Sequence, residues 1–180
     1  QKLPTEGIKE LRHAYKTKPL LSVQQVEEII GKAESLCPRS GKQFSDFVKL
    51  CAYSGGRMKE VLSLRWDKIS FDKRLVEFFG KGSKTRHVDF NPKLEAHLRD
   101  MLSRKSDSPW LFPSQRIKGA RITSFKKTLE KVRNDTGIDF SNHSFRHYFA
   151  SMCVMAGIDF GVVGSWLGHA DGGALAAKVY

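Results

Sequence analysis

Residues 68–90, "KISFDKRLVEFFGKGSKTRHVDF", decide the fold class of this chain. The runs "KISFD", "LVEFFG" and "TRHVDF" are short, partly alternating and rich in Phe, Val and Ile, and "DKR" and "KGSK" separate them. Short alternating runs separated by charged and turn-forming residues predict a three-stranded antiparallel meander.

Around this sheet the apolar residues recur at helical spacing. Ser22 is a predicted N-cap, Gly55-Gly56 breaks a helix, Asn91-Pro92 begins one, and Asp159 caps another that stops at Gly168. The predicted helices cover residues 23 to about 37, 43–53, 57–64, 92–104, 123–136, 142–156 and 160–167. The fold class is therefore mainly α with one small three-stranded antiparallel sheet, an α+β arrangement.

The charge balance favours a polyanionic partner. The chain has 180 residues with 31 Lys and Arg against 19 Asp and Glu, a formal net charge of +12. Nucleic acid is the commonest partner of a domain this basic. Three scattered cysteines do not make a disulfide framework, so a reducing, cytoplasmic compartment is expected. No segment is predicted to span a membrane.

The segment "HSFRHY", residues 143–148, has a metal and a phosphate interpretation. His143 and His147 are four residues apart and share a helix face, a spacing that can bind zinc. Phe145 and Arg146 lie between them instead of the glutamate of zinc proteases, and an arginine there would repel a dication. A phosphate site fits better, because Arg binds phosphate bidentately and always carries its charge. No metal ligand is predicted.

Two further segments extend the phosphate interpretation. Arg57 follows Gly55-Gly56 at a helix start, where the helix N-terminus favours anions. The lysine-rich "GKGSK" is a hairpin tip that can reach over a ligand. A second arginine, a reaching lysine, two histidines and Tyr180 at the end of the chain form an unusual set for a protein that only binds.

These segments together resemble the catalytic domain of the tyrosine recombinases, the phage integrase family. The resemblance lies in "AYSGGRMKEVLSLRWDKI", "GKGSKTRHVDF", "HSFRHYFAS" and "WLGHADGGALAAKVY", in that order. It implies a DNA strand-exchange enzyme of phage or mobile-element type that forms a 3′-phosphotyrosine intermediate. Because the phosphodiester energy is kept in that intermediate, neither ATP nor another cofactor is expected.

The resemblance also assigns roles within this set. Arg57 and Arg146 would hold the non-bridging oxygens of the scissile phosphate and stabilise the charge of the transition state. Lys81 would protonate the leaving 5′ oxygen, with Lys84 as the rival for that role. His143 and His169 would donate hydrogen bonds or transfer protons, and Tyr180 would be the nucleophile.

Other residues are expected to support these or to touch DNA. Glu60 would support the first arginine, and His147 would be packed or hydrogen-bonded in a structural role. The residues predicted to bind DNA are Lys84, Arg86, Lys126, Lys127 and Lys131.

Domain organisation and assembly follow as expectations. Residues 1–19 are interpreted as a linker from an upstream DNA-binding domain, and residues 20–180 as the catalytic domain, truncated at the nucleophile. The interval from His169 to Tyr180 is longer than is usual in the family. Double-stranded DNA is the expected partner. The full-length protein is expected to form a tetramer on paired DNA sites, whereas this fragment is expected to be a monomer. The expected location is the nucleoid. The alternatives are a type IB topoisomerase and a non-catalytic DNA-binding module.

Overall fold

The computed structural model describes residues 20–36, 40–80, 85–169 and 177. In this part of the chain the helices and strands are α1 Val23–Leu36, α2 Ser40–Ser54, α3 Met58–Leu62, a 3₁₀ turn Trp66–Lys68, β1 Ile69–Ser70, β2 Leu75–Phe79, β3 Thr85–Asp89, α4 Pro92–Ser103, α5 Lys126–Thr136, α6 Asn142–Met155 and α7 Phe160–Leu167. The predicted fold class is confirmed. The predicted linker, residues 1–19, lies outside the described residues.

Helix α2 is the centre of the helical part. Most of its side chains are buried, and α1, α4 and α6 pack around it. Phe44 and Phe47 of α2 meet Phe112 and Phe125 in a cluster of aromatic rings with centroids 5.3–6.2 Å apart. Buried aromatic area of this kind stabilises the fold strongly, so α2 is a rigid support for the elements that follow it.

The sheet has the order β1-β2-β3 and is antiparallel throughout. In the β2–β3 register Val76 lies opposite Val88 and Phe78 lies opposite Arg86. Val76, Phe78 and Val88 are buried, and because side chains alternate along a strand, Arg86 points to the same inner face. The sheet therefore directs a charged side chain toward the helices.

Helix boundaries agree with the predicted caps at most ends. Ser22 and Gln25 cap α1 reciprocally, Asn91 accepts the Leu94 N–H at 2.9 Å, and Asp159 accepts the Gly161 N–H at 2.7 Å. The predicted start of α5 at Thr123 was wrong: the helix begins at Lys126, whose N–H is bonded to the Ser124 hydroxyl at 3.1 Å. Within the described ranges, no helix combines the length and apolar character that crossing a membrane requires.

Candidate active site

Arg57 lies at the N-terminus of α3, where Glu60 holds it twice. The Arg57 main-chain N–H donates to Glu60 Oε2, and Arg57 Nη1 donates to Oε1, both at 2.9 Å. The Glu60 side chain is buried, whereas that of Arg57 keeps 42 % of its surface exposed. The Glu60 carboxylate therefore holds the main chain and one nitrogen of the Arg57 guanidinium in place, while the rest of that side chain remains accessible to a ligand.

Gly55 and Gly56 let the backbone before Arg57 pack closely against neighbouring side chains. Gly55 has φ +63°, and a Cβ there would lie 2.5 Å from Phe149 Cδ1 and 2.9 Å from Leu167 Cδ2. A Cβ on Gly56 would lie 2.5 Å from Val61 Cγ2. Only glycine fits both the left-handed conformation and the close packing of Gly55 against α6 and α7.

Arg86 also binds the carboxylate of Glu60. Its Nη2 donates to Glu60 Oε2 at 2.6 Å, and its Nη1 donates to the main-chain carbonyl of Trp166. The guanidinium lies 4.7 Å from the centroid of the Phe78 ring, and only 9 % of the side chain is exposed. This inward position differs from the exposed one expected of a DNA contact, because Arg86 shares the inner face of β3 with buried Val88.

The charge state of this buried group follows from its surroundings. Burial alone would raise the pKa of Glu60, but the charge of Arg86 and the hydrogen bonds from Arg57 and Arg86 outweigh it and lower that pKa below 4.5. Burial lowers the pKa of Arg86 most, and the charge of Arg57 lowers it further, whereas the charge and hydrogen bond of Glu60 raise it. Glu60 is therefore a carboxylate between two guanidinium cations.

Arg146 is buried and connects α6 with the Gly55 turn and with α7. It lies in α6 with 3 % exposure. Its Nη1 donates to the Gly55 carbonyl at 2.8 Å, and its Nη2 donates to the Leu167 carbonyl at the end of α7. A cation at a helix C-terminus is favourable, and α7 has two, Arg86 and Arg146.

The end of α7 places His169 beside these arginines. Gly168 has φ +65°, and a Cβ there would lie 2.8 Å from Arg86 Cδ and 3.7 Å from Arg57 Nη1. The His169 N–H donates to the Gly164 carbonyl and the Gly168 N–H donates to the Ser165 carbonyl, both at 2.9 Å, which is the Schellman arrangement that closes the C-terminus of α7. Trp166 Nε1 donates to Asp89 Oδ2 at 3.0 Å and so attaches α7 to β3 a second time.

The two histidines of α6 meet edge to face. The rings of His143 and His147 have centroids 4.7 Å apart, and His143 is exposed. Desolvation lowers the pKa of His143 most, followed by the nearby His147, Arg146, Arg57 and His169. Five of the predicted residues are thus close enough to interact electrostatically at one place on the surface.

The metal interpretation gains no third ligand here. Among the residues that the structure describes, the group of side chains close enough to share an ion is Asp46, His97 and Asp100, which includes neither His143 nor His147. Arg104 already binds both oxygens of Asp46 at 2.8 Å, and it contacts Asp100 at 2.8 Å. A guanidinium in that position opposes a dication at the Asp46 cluster, and the absence of a metal ligand among the site residues stays a prediction.

The remaining predicted residues fall into two groups. Lys81, Lys84 and Tyr180 lie outside the described residues, so their roles stay predictions. Lys126, Lys127 and Lys131 are exposed on α5. Lys126 and Lys131 have partners one helical turn away, Glu130 at 3.9 Å and Asp135 at 3.6 Å, which contribute little as surface ion pairs.

The sequence did not predict that the Arg86 side chain would be buried and hydrogen-bonded to Glu60 and Trp166. The alternation of "TRHVDF" was the available signal, because Arg86 and Val88 are two residues apart and share a face. No comparable signal existed for its partner at Trp166, which contributes a main-chain carbonyl.

Residues 19–178 match the phage integrase family. The chain belongs to this family. Among its curated relatives, tyrosine recombinase XerD of Caulobacter vibrioides is 30 % identical over 165 residues, covering 84 % of this chain and 54 % of the relative. Tyrosine recombinase XerC of Erythrobacter litoralis is 32 % identical over 157 residues, covering 84 % and 51 %. This phage integrase family member spans about half the length of the curated relatives it matches.

Solved structures agree on the fold. A Tn1549 transposon integrase in complex with a circular intermediate DNA has a TM-score of 0.75 at 15 % identity, covering 94 % of this chain and 63 % of that one. The XerH site-specific recombinase bound to its difH substrate has a TM-score of 0.72 at 22 % identity, covering 92 % and 51 %. This family member therefore has the fold of tyrosine recombinase catalytic domains.

Proposed function

We propose that this chain is the catalytic domain of a site-specific tyrosine recombinase of the integrase type. The observation that carries the proposal is the convergence of Arg57, Arg146, His143 and His169, from three separate segments, at one place where Arg57 and His143 are exposed. Family membership and relatives named tyrosine recombinases support the same activity.

In the proposed reaction Tyr180 attacks a DNA phosphodiester. A new bond forms between the phenolic oxygen and phosphorus as the phenolic proton passes to a neutral histidine, His143 or His169, and the bond from phosphorus to the 5′ oxygen breaks. The products are a 3′-phosphotyrosine and a 5′ hydroxyl, and Lys81 supplies the proton to that hydroxyl. Attack by a 5′ hydroxyl of another strand reverses the step and completes strand exchange.

The described residues would stabilise the charge that develops on phosphorus. Arg57 is preorganised by Glu60, and Arg146 is fixed by two main-chain carbonyls, so neither needs to reorganise during the reaction. Desolvation and, after it, the neighbouring basic groups lower the pKa of His143, which favours a neutral ring before DNA binds. A bound phosphate would raise that pKa and favour hydrogen-bond donation from His143 and His169 to the oxygens.

Double-stranded DNA is the proposed partner. The net charge of +12 and the exposed lysines of α5 suit a polyanion, and the solved structures of similar fold include complexes with DNA. We propose that the whole protein acts as a tetramer on paired sites at the nucleoid, and that this segment alone is monomeric.

The test is a nicked suicide duplex, from which a short cleaved fragment diffuses away and traps the covalent complex. We expect a covalent 3′ adduct with the wild-type chain and none with Tyr180→Phe, while both bind DNA equally because the hydroxyl is consumed in chemistry. Absence of an adduct with an otherwise folded, DNA-binding protein would mean a binding module. An adduct with supercoil relaxation but without exchange between two sites would mean a topoisomerase.

A further inference from the structure

The buried Arg86 is not explained by a direct contact with DNA. We propose that Arg86 is a positioning residue, which acts through Glu60 and the end of α7 to hold Arg57 and His169 in place relative to the β2–β3 hairpin. This inference rests on the proposed function, because its main effect is on strand cleavage.

The two ends of the Arg86 guanidinium contact two different parts of the site. Nη2 donates to Glu60, whose carboxylate also accepts the main-chain N–H and the side chain of Arg57. Nη1 donates to the carbonyl of Trp166, three residues before His169. One planar side chain therefore connects the support of Arg57 with the support of His169.

Close neighbours leave the Arg86 side chain little room to move. Phe78 lies against the guanidinium with 4.7 Å between Arg86 Cζ and the ring centroid. Gly168 approaches the stem of the side chain, since an added Cβ would be 2.8 Å from Arg86 Cδ and 3.3 Å from Nε. A lysine carries the same charge but has a single terminal nitrogen, so it cannot span Glu60 and Trp166 with this geometry.

The position of Arg86 in the chain connects the hairpin to the same group. Arg86 is the second residue of β3, and that strand begins directly after residues 81–84, which contain the predicted general acid Lys81. Asp89, farther along the same strand, accepts the Trp166 indole N–H. Strand β3 is thus attached to α7 at two points, and Arg86 is the one that also reaches Glu60.

The experiment compares Arg86→Lys and Arg86→Gln with the wild-type chain. For both variants we expect adduct formation on saturating nicked duplex to slow by about 10²-fold, the size typical of a small misplacement of reacting groups. DNA affinity and its salt dependence should stay unchanged. In a cycle with Glu60→Gln, the losses from Glu60→Gln and Arg86→Gln should be far from additive, because Arg86 acts through Glu60.

Arg104→Lys is the matched control. Arg104 also binds a buried carboxylate with two nitrogens, Asp46 at 2.8 Å, and neither Asp46 nor its other carboxylate partner, Asp100, is a predicted site residue. It should lower thermal stability and leave the cleavage rate of the folded protein unchanged. Any slowing in Arg86→Lys beyond that of Arg104→Lys, at matched stability, reports positioning.

If the wild-type chain forms the adduct, either of two results would overturn the inference. One is a wild-type cleavage rate in folded Arg86→Lys. The other is a salt dependence in Arg86→Gln that weakens by about one phosphate contact, which would make Arg86 a DNA contact.

If the wild-type chain forms no adduct, the proposed function fails, and nuclear magnetic resonance then tests separately whether Arg86 positions Arg57 and His169. The inference then requires that Arg86→Lys shift the Arg57 amide and His169 ring signals, and unshifted signals would overturn it.

Discussion

Arg146 donates a 2.8 Å hydrogen bond from Nη1 to the main-chain carbonyl of Gly55, 91 residues earlier in the chain. The two arginine-containing segments of the site are therefore joined directly. Nη2 of the same side chain donates to the Leu167 carbonyl at the end of α7. The residue that would stabilise the transition state therefore also holds the segments of the candidate site together.

Replacement of Arg146 by lysine should affect both stability and cleavage. A single ammonium cannot donate to Gly55 and Leu167 together, so the free energy of unfolding should fall by about 2–3 kcal/mol. Adduct formation should slow by orders of magnitude, whereas Arg133→Lys, at an exposed ion pair with Asp139, should change neither. Urea unfolding and the nicked-duplex assay measure the two effects, and activity within a few fold of wild type would demote Arg146 to a general phosphate contact.

Glu60→Gln should give a pH-dependent loss of stability. The pKa of Glu60 is lower in the folded protein than its ordinary 4.5, so its contribution is complete above pH 4.5 and is lost as pH falls through the folded value. We expect the variant to be less stable than wild type by about 2 kcal/mol at neutral pH. That difference should shrink in acid.

The control for this prediction is Glu130→Gln, which removes an exposed glutamate that lies 3.9 Å from Lys126. Its unfolding curves should match wild type at every pH. A Glu60→Gln deficit that stays constant from neutral pH to well below pH 4.5 would show that ionisation of Glu60 does not contribute.

Three glycine variants separate backbone strain from crowding. Gly55→Ala combines a positive φ with contacts of 2.5 and 2.9 Å, and should cost about 2–4 kcal/mol of stability. Gly137→Ala has φ +69° and open space around the added Cβ, so it should cost about 1 kcal/mol. Gly31→Ala, inside α1 with open space, should stabilise by up to about 1 kcal/mol. Equal losses at Gly55 and Gly137 in thermal unfolding would mean that Phe149 and Leu167 do not restrict the site.

Chelation should leave strand cleavage intact. The charge on phosphorus would be stabilised by Arg57 and Arg146, so adduct formation should be the same in chelator and in added zinc. Activity that disappears in chelator and returns with zinc would instead support metal binding by His143 and His147.

The lysines of α5 should contribute to affinity without contributing to chemistry. Replacing Lys126, Lys127 and Lys131 by Gln should weaken binding and reduce the log–log salt slope by about 0.9 for each DNA phosphate that is no longer neutralised. The control is the same change at exposed Lys73, Lys105 and Lys118, which alters the net charge equally. Equal effects of the two triple variants in a salt titration would mean that only net charge matters.

The fold class was predictable from local patterns, whereas the roles of the site residues came from the family resemblance and stay predictions. Alternation predicted the three strands, glycines and cap residues predicted most helix ends, and Arg57, His143, Arg146 and His169 lie together as expected. The inner contacts were not predictable, because Arg86 reaches a main-chain carbonyl 80 residues away. A carbonyl is the same in every residue, so only the tertiary fold determines which one a guanidinium meets.

The carboxylate that lies between Arg57 and Arg86 also constrains how this protein can evolve. Loss of the cation at position 86 would leave Glu60 buried beside a single, half-exposed arginine, and loss of the acid would leave two guanidinium groups facing each other. Either change alone is unfavourable, whereas a paired change can be tolerated. Among related chains, positions 60 and 86 should therefore vary together, and a substitution at one without the other should mark a lineage in which the hairpin is anchored differently.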